Sequence, residues 1–437
     1  MTSVEQDKSP STPRRMRFAS VVWRLTGANA LLAVLAVITS PILAHALGPA
    51  GRGELAAIFT VLTLAPWISD LGLTAYLARE RAQGRDASLL LGSVIPVAFA
   101  ASLVGVATAI PIAHLLGRGR ADVTYFVSLG LFILPVSVFI QTLYGLVLGE
   151  ERWRIIVWVR VLSAALPAAA IVGLSLADSV TVSNVSIAYL STGILSNIPL
   201  LIALSGSLPW RFRWSVTVSS VLFGLKSWIG TIANTANARL DQLLMAGLVS
   251  STQLGLYALA VTLSSISSSL VAAVANALFP RIAGGEYELG ARACRMAIAM
   301  VSILSVLIAS CSPILVPIVF GEAFSGAVPM LLILLGAGVC FVAVQILNST
   351  VTAGGDPASA ARAQATGLAI TIPGLILVLP TYGGVGAAWI SLASYLATLT
   401  IVLRAAVRLF KLPAHAFLIV RRSDITWLRT RFARARS

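Results

Sequence analysis

Apolar segments long enough to cross a lipid bilayer follow one another along almost the whole of this sequence, separated by short polar connections. A helix needs about 20 apolar residues to span the hydrocarbon core, whereas a membrane β-strand alternates polar and apolar residues over about ten positions. The segments here are of the longer kind and do not alternate. Only 11% of the residues are charged and 58% are hydrophobic, against about 25% charged residues in soluble proteins. The sequence therefore predicts an all-α integral membrane protein.

The segments predict twelve membrane-spanning helices. They lie at residues 20–47, 55–78, 88–116, 122–148, 154–176, 183–205, 216–248, 253–279, 292–320, 327–352, 359–380 and 384–409. We expect a disordered cytoplasmic N-terminus at 1–19, an N-lobe at 20–205, a cytoplasmic linker at 206–215, a C-lobe at 216–410 and a basic cytoplasmic tail at 411–437. No connection is long enough to hold a soluble domain.

The two halves of the chain match weakly in sequence. Val185–Ser191 aligns with Val385–Ser391, and Gln141 aligns with Gln345, at an offset of about 200 residues. Two six-helix halves that share one orientation form a parallel repeat, which places a substrate path between the lobes. The pattern predicts two six-helix lobes related by an internal repeat.

Basic residues predict the orientation in the membrane. If both termini are cytoplasmic and the spans alternate, nearly all of the 31 lysines and arginines fall on the cytoplasmic side. The net charge of +15 is thus interpreted as a topology signal, and no nucleic-acid partner is expected. The three cysteines have no paired spacing, and the sequence has no metal, nucleotide or Ser/His/Asp motif. We expect a multi-pass protein of the plasma membrane that is not an enzyme and has no cofactor.

The seventh segment, residues 216–248, carries more polar side chains than membrane helices usually do. A charge at the centre of a membrane helix costs about 3 kcal/mol on insertion scales, so a polar stripe is expected to face a watery interior. Residues three or four apart lie on one face of a helix. That spacing relates Lys226, Gly230, Asn234, Asn237 and Asp241, whereas Arg239 lies two residues from Asp241 and points elsewhere.

Four stretches of the chain are similar to a known family. They are LGPAGRGELAAIFTVLTLAPWISDLGLTAYLARE (47–80), RLDQLLMAGLVSSTQLGLYALAVTLSSISSSLVAAVANALFPRIA (239–283), VFGEAFSGAVPMLLILLGAGVCF (319–341) and LPTYGGVGAAWISLASYL (379–396). They hold packing and turn features, such as an aspartate before a Gly-x-Tyr sequence and a Gly-x-x-Gly-Ala-Ala sequence. In these features the chain resembles the polysaccharide flippases of the multidrug/oligosaccharidyl-lipid/polysaccharide exporter superfamily.

The resemblance implies a twelve-helix, two-lobed fold and a transport function. The implied substrate is a lipid-linked oligosaccharide on a polyprenyl pyrophosphate, moved from the inner to the outer leaflet for surface polysaccharide biosynthesis. Its lipid tail would stay among the membrane lipids. By the same analogy a polysaccharide polymerase or ligase is a possible partner. We expect a monomer, because each chain can enclose its own path.

Cations suit the pyrophosphate of such a substrate, since arginine binds phosphate bidentately and lysine acts as a point charge. The candidate substrate-binding residues are Arg24, Asn29, Lys226, Asn234, Asn237 and Arg239. The alternatives are positive-inside anchors for Arg24 and Lys226, an ion pair with an aspartate for Arg239, and interhelical hydrogen bonds for the asparagines. Asp70 and Asp241 are candidate carboxylates, either for a coupling cation or for a structural contact.

Two other functions stay open from the sequence. A drug or cation antiporter with the same fold would need acidic residues within its helices, and Asp70 and Asp241 are the main candidates. A membrane polymerase or ligase usually needs a large external loop, and no such loop is predicted here. The cationic path favours an anionic substrate and therefore the flippase.

Overall fold

The computed structural model of the protein describes residues 13–117, 120–204, 211–266, 287–421 and 424. Every regular element among these residues is a helix. The N-terminal half contains α1 (Pro13–Ser69), α2 (Leu73–Ala82), α3 (Ala87–Gly117), α4 (Ala121–Phe132), α5 (Leu134–Gly149), α6 (Trp153–Leu176), α7 (Val182–Leu195) and α8 (Ile198–Leu204). The C-terminal half contains α9 (Trp214–Leu248), α10 (251–266), α11 (Tyr287–Phe320), a 3-10 turn (Glu322–Phe324), α12 (Ala327–Ala353), α13 (Pro357–Phe410) and α14 (His415–Leu418).

Two of these helices fold back on themselves. In α1 the backbone of Gly48 has a left-handed φ of 63°, and Arg52 donates a hydrogen bond of 2.8 Å to the Ser40 hydroxyl. Twelve residues of straight helix would hold those side chains about 18 Å apart. In α13, Gly383 has a φ of 53°, and Thr371 and Ser394 are hydrogen-bonded at 2.9 Å across that break. Each of these helices therefore supplies two antiparallel membrane spans.

The helices give the predicted architecture. Among the described residues seven helices are long and apolar enough to cross a membrane, or eight if α4 and α5, which meet at 49°, form one broken span. The N-terminal half has six spans: the two arms of α1, then α3, the α4–α5 pair, α6 and the α7–α8 pair. The C-terminal half also has six: α9, α10, α11, α12 and the two arms of α13. The chain is an all-α integral membrane protein with about twelve membrane helices in two six-helix lobes.

The outer surface of the bundle is apolar, as a lipid-facing surface must be. Large apolar side chains project from several helices, including Leu176 (85% exposed), Leu377 (74%) and Ile303 (73%). The interior is closely packed with small and aliphatic residues, among them Leu90 and Val138 in the N-lobe and Leu331 in the C-lobe. The long helix α9 contacts α1, α2 and α3 of the first half and α13 of the second. It therefore joins the lobes.

One boundary differs from the sequence prediction, and part of the tail packs against the bundle. Helix α1 begins at Pro13, within the N-terminus that was predicted to be disordered up to residue 19. Proline suits the first helical position, where its missing N–H is not needed. In the tail, α14 packs its Phe417 into the C-lobe, where this side chain is fully buried. This part of the tail is therefore packed against the C-lobe.

A buried ion cluster fixes the tail further along the chain. The carboxylate of Asp424 accepts hydrogen bonds of 2.8 Å from Nε and Nη2 of Arg295 and of 3.1 Å from Nε of Arg292. Arg295 also donates to the carbonyl oxygen of Ala416. Both arginines lie near the N-terminus of α11, so these contacts attach the tail to that helix. We name them the tail latch.

Candidate functional site

A cavity of about 280 Å³ lies between the two lobes. Helices α1 and α7 contribute its N-lobe wall, and α9 and α10 contribute its C-lobe wall. The lining residues are Leu43, Arg52, Leu55, Ala56, Phe59, Thr60, Thr63, Tyr189, Arg239, Gln242, Ala258 and Thr262. Two of these are arginines and none is acidic, so the cavity is cationic.

Arg52 enters the cavity from the second arm of α1. One end of its guanidinium donates to the hydroxyl and the carbonyl oxygen of Ser40, at 2.8 and 3.4 Å. Its Nε is buried and has no hydrogen-bond partner in the described part of the chain. The predicted spans 20–47 and 55–78 leave Arg52 in the connection between them. The sharp reversal at Gly48 instead puts Arg52 in the first turn of the second span.

Arg239 enters the same cavity from α9. It donates a hydrogen bond of 3.3 Å to Oε1 of Gln242, one turn further along the helix. The same oxygen accepts a 3.2 Å bond from the hydroxyl of Thr60, which belongs to the other lobe. Gln242 is buried. One amide thus links the C-lobe arginine to the N-lobe wall.

Asp241 points away from the cavity, into the C-lobe. Its carboxylate accepts a 2.6 Å hydrogen bond from the hydroxyl of Tyr257 and a 2.7 Å bond from the backbone N–H of Gln242. The Tyr257 hydroxyl also lies 3.4 Å from that of Ser391. Asp241 was predicted to share a cavity-facing stripe of α9 with Lys226, but it does not line the cavity. The face of α9 that meets the N-lobe carries Arg239 instead. In this arrangement Asp241 joins α9, α10 and α13.

The other predicted residues occupy several places. Asp70 is buried at the break between α1 and α2, where it accepts hydrogen bonds of 2.6 and 3.3 Å from the hydroxyl and N–H of Thr74. Lys226 is exposed and does not line the cavity. Four predicted side chains lie outside the described part of the structure: Arg24, Asn29, Asn234 and Asn237.

The cavity is bounded at one end by what we name the Gly53 contact. A Cβ at Gly53 would overlap the carbonyl oxygen of Ser251, and one at Gly255 would overlap that of Pro49. Arg120, at the start of α4, donates to the Ser251 hydroxyl and to the carbonyl oxygen of Ala246. The backbones of the two lobes can meet here only because both positions lack a side chain.

The lobes meet again at what we name the Gly72 contact. A Cβ at Gly72 would overlap the carbonyl oxygen of Gly224, and one at Gly224 would overlap that of Leu71. The indole N–H of Trp228 donates a 2.8 Å hydrogen bond to the carbonyl oxygen of Ile68. Phe223 of α9 packs against Tyr76, with ring centroids 5.9 Å apart. Trp228 thus takes part in joining the lobes.

The cavity between the lobes is too small for a large solute. Pockets that bind drug-sized ligands usually measure about 300–1,000 Å³, and this one measures about 280 Å³. A larger cavity of about 570 Å³ lies within the N-lobe, where Gln141, Arg160 and Asn197 are among its polar lining residues. None of the described residues that line the N-lobe cavity is acidic. A bulky substrate would need the lobes to separate at one of the two contacts.

Comparisons with known proteins agree with this architecture. Residues 20–285 match the family model for polysaccharide biosynthesis proteins. A search of curated protein sequences found no significant match. The fold is similar to a solved structure of the lipid II flippase MurJ in an inward closed conformation, with a TM-score of 0.75, 13% identity, and coverage of 90% of this chain and 89% of that chain.

Multidrug transporters share the same fold. The chain is similar to a solved complex of the MATE multidrug transporter DinF-BH, with a TM-score of 0.62, 16% identity, and coverage of 94% of this chain and 100% of that one. It is also similar to the eukaryotic MATE transporter AtDTX14, with a TM-score of 0.57, 14% identity, and coverage of 91% and 99%. This multi-pass membrane protein belongs to the polysaccharide biosynthesis protein family, and its fold is shared by a lipid II flippase and by multidrug transporters.

Proposed function

We propose that this protein is a flippase that moves an oligosaccharide, linked to a polyprenyl pyrophosphate, from the inner to the outer leaflet of the plasma membrane. In this proposal both termini are cytoplasmic, as the basic residues predict. The observation that carries the proposal is the pair Arg52 and Arg239, which enter one cavity from opposite lobes. Membership of the polysaccharide biosynthesis family supports the choice of substrate class.

The bonding of the two arginines suits a phosphate ligand. Arg52 is bonded to Ser40 and Arg239 to Gln242, so both cations are held by neutral oxygens. A carboxylate partner would compete with a phosphate, whereas neutral partners leave the positive charge available. A guanidinium and a phosphate carry opposite charges and often form two parallel hydrogen bonds, whereas Ser40 and Gln242 offer only neutral oxygens. A pyrophosphate entering the cavity would therefore displace the weaker partners.

The rest of the lining suits the glycan. Thr60, Thr63 and Thr262 bring hydroxyl groups to the cavity, and Tyr189 brings an aromatic ring. Hydroxyls can exchange hydrogen bonds with sugar hydroxyls, and an aromatic face packs on the apolar face of a sugar ring. Separation of the lobes would break the Thr60–Gln242 bond and enlarge the space beside both arginines. The lobes would then close at the opposite end, as alternating access requires.

The same observations weigh against an antiporter for cationic drugs. A cavity that binds a cation needs negative charge, and the described residues that line the inter-lobe cavity include two arginines and no acidic residue. The carboxylate of Asp241 is engaged by Tyr257 within the C-lobe. We infer that Asp241 has a structural function in the flippase.

The decisive experiment measures lipid-linked oligosaccharides by mass spectrometry in cells depleted of the protein. We expect a pyrophosphate-linked glycan to accumulate and its surface polysaccharide to disappear. Wild type should restore export, whereas Arg239→Ala and Arg52→Ala should each reduce it by about tenfold or more, since each removes charge-assisted hydrogen bonds to the substrate. Arg154→Ala is the matched control, because Arg154 is exposed on α6 and lines no described cavity.

Two outcomes would contradict the proposal. Unchanged lipid intermediates together with greater sensitivity to cationic drugs would indicate the antiporter. Full rescue by both cavity variants, at the protein level of Arg154→Ala, would remove the arginines from the transport path.

A further inference from the structure

A second cationic site lies within the C-lobe, away from the cavity between the lobes. It is a groove of about 610 Å³ between the two arms of α13, and three arginines line it: Arg362, Arg404 and Arg408. Ile401 and Ala405 form part of its apolar floor. We name it the arginine groove. It lies at the ends of the two arms, far from the turn at Gly383.

Helical spacing brings these arginines together. Arg404 and Arg408 are one turn apart on the second arm, and Arg362 lies on the facing turn of the first arm. Like charges at this spacing repel each other by a few tenths of a kcal/mol, so an ordinary helix gains nothing from the arrangement. The two arms together thus place three positive charges around one groove.

These arginines have few protein partners, in contrast with arginines elsewhere. Arg81 lies 2.9 Å from Glu150, and Arg85 lies 2.7 Å from Glu80. Within the described residues, neither Arg404 nor Arg408 has a carboxylate within ion-pair distance or a hydrogen-bond partner for its side chain. No described side chain therefore neutralises the positive charges of Arg404 and Arg408 by an ion pair.

The acid at the rim of the groove is already engaged. Asp356 caps the start of α13 by accepting a 3.0 Å hydrogen bond from the N–H of Ser359. Arg362 donates a 2.8 Å bond to the hydroxyl of the same serine. With three arginines and one capping aspartate the groove keeps a net positive charge, which suits an anion.

The surface above the groove indicates that this anion belongs to a lipid. The exposed stripe of the second arm contains Trp389 and Leu396 and, further along at helical spacing, ends in Arg404 and Arg408. The exposed stripe of the first arm has the same composition, with Ile372 and Ile376 at a distance from Arg362. An acyl chain can lie along the apolar part of either stripe while the phosphate reaches the arginines. A free phosphate would make no use of those apolar stripes.

We propose that the arginine groove binds the phosphate of an anionic membrane phospholipid, whose acyl chains lie along the exposed faces of α13. The turn at Gly383 lies at the same end as the Gly53 contact, because Gln253 beside that contact accepts a hydrogen bond from the N–H of Gly384. The groove therefore opens on the opposite membrane face, on the side of the Gly72 contact. With the expected orientation this is the cytoplasmic leaflet. The site is separate from the transport path, so the proposal does not depend on the substrate that is transported.

The test is native mass spectrometry of the full chain in detergent, titrated with phosphatidylglycerol or phosphatidylcholine. For wild type we expect retention of phosphatidylglycerol over phosphatidylcholine. In Arg404→Gln/Arg408→Gln the apparent affinity for phosphatidylglycerol should fall by about tenfold to thirtyfold, as expected for two arginines near a lipid surface. Arg154→Gln/Arg211→Gln removes the same charge from two exposed sites and should leave the affinity unchanged.

Two further measurements make the result decisive. Arg362→Gln, on the other arm, should weaken phosphatidylglycerol binding on its own, so the test stands if the double variant does not fold. Inorganic phosphate at millimolar concentration should not displace the lipid, and displacement would overturn the assignment to a lipid. Equal retention of phosphatidylglycerol by the groove variants and the control would overturn the site.

Discussion

The Gly53 contact and the Gly72 contact join the two lobes in two different ways. Both bring a glycine of one lobe against a carbonyl oxygen of the other. At the Gly53 contact the supporting side chain is a cation, Arg120, which donates to α9 and α10. At the Gly72 contact the support is aromatic, with an indole N–H bonded to a carbonyl oxygen and a pair of packed rings.

The difference indicates how one fold can open at either end. A backbone contact through glycine is sensitive to the size of the residue, because a single added carbon forces the lobes apart. The contact itself adds little attraction between the lobes. The attraction then comes from the side chains. Charged hydrogen bonds are worth about 1.5–3 kcal/mol, and neutral ones about 0.5–1.5 kcal/mol. We expect the Gly53 contact to be the stronger of the two, so that the lobes separate first at the Gly72 contact.

The largest effect should come from filling the glycine contacts. Gly53→Ala should hold the Gly53 contact open, and Gly224→Ala should hold the Gly72 contact open, since the new Cβ overlaps a backbone oxygen in each case. Overpacking of this kind costs about 1–3 kcal/mol. Distances between spin labels on α1 and α10, and on α2 and α9, should each increase in one variant only. Transport should fall by about tenfold or more in both.

Gly336→Ala is the matched control for both substitutions. A Cβ at Gly336 meets nothing within 4 Å, and alanine is the better helix former by about 1 kcal/mol. The control should therefore be neutral or slightly stabilising. If Gly53→Ala and Gly224→Ala gave the same label distances as Gly336→Ala, the glycines would not control the closure.

Weakening the tail latch should lower stability without changing the Gly53 contact or the Gly72 contact. It therefore tests whether the two contacts depend only on the residues near them. Asp424→Asn removes the charged partner of Arg292 and Arg295 and should lower the free energy of unfolding by about 2 kcal/mol, because it weakens charge-assisted hydrogen bonds at a buried site. Thermal unfolding in detergent measures this, with Glu322→Gln, an exposed acid, as the control. Spin-label distances at the Gly53 and Gly72 contacts should stay at the wild-type values. A change there would couple the tail to the lobes.

The latch should also depend on pH. Hydrogen bonds from Arg295, followed by other contacts of the carboxylate, lower the pKa of Asp424 from 3.8 to about 2. A lowered carboxyl pKa stabilises the fold above the unfolded pKa, and that stabilisation is lost as the pH falls through the folded pKa. The difference between wild type and Asp424→Asn should be complete above about pH 4 and shrink towards pH 2. A constant difference over this range would show that the carboxylate charge contributes nothing.

The membrane spans were predictable because the length of an apolar segment is a local property of the sequence. The location of the two reversals in α1 and α13 was also visible, since Gly48 and Gly383 lie between predicted spans. The exact residue at which each span begins could not be predicted from the sequence with the same precision. The predicted spans leave Arg52 in a connection, whereas the tight turn at Gly48 puts it within the helix and at the cavity.

The orientation of α9 could not be obtained from the sequence in the same way. Helical spacing shows that Arg239 and Asp241 lie on different faces, but it does not show which face meets the other lobe. That depends on the packing of α9 against α1, α2 and α3, which are distant in sequence. The structure turns Arg239 towards the N-lobe and Asp241 towards Tyr257. Gln242, which links Arg239 to Thr60, had no signal in the sequence that marked it as a lobe-joining residue.

The most direct test of the comparison removes one donor from each contact. Arg120→Met removes the charged donor of the Gly53 contact, and Trp228→Phe removes the neutral donor of the Gly72 contact while keeping a ring. From the magnitudes above, the population open at the Gly53 contact should rise by about tenfold or more, and that open at the Gly72 contact by about fivefold. Spin-label distance distributions measure both populations.

The two shifts should be in opposite directions if the lobes alternate. In a transporter that cannot open at both ends together, weakening one contact increases the population that is closed at the other. Arg120→Met should therefore reduce opening at the Gly72 contact, and Trp228→Phe should reduce opening at the Gly53 contact. If the two ends open independently of each other in the double variant Arg120→Met/Trp228→Phe, the lobes do not alternate. A larger shift from Trp228→Phe than from Arg120→Met would instead reverse the order of strength inferred for the two contacts.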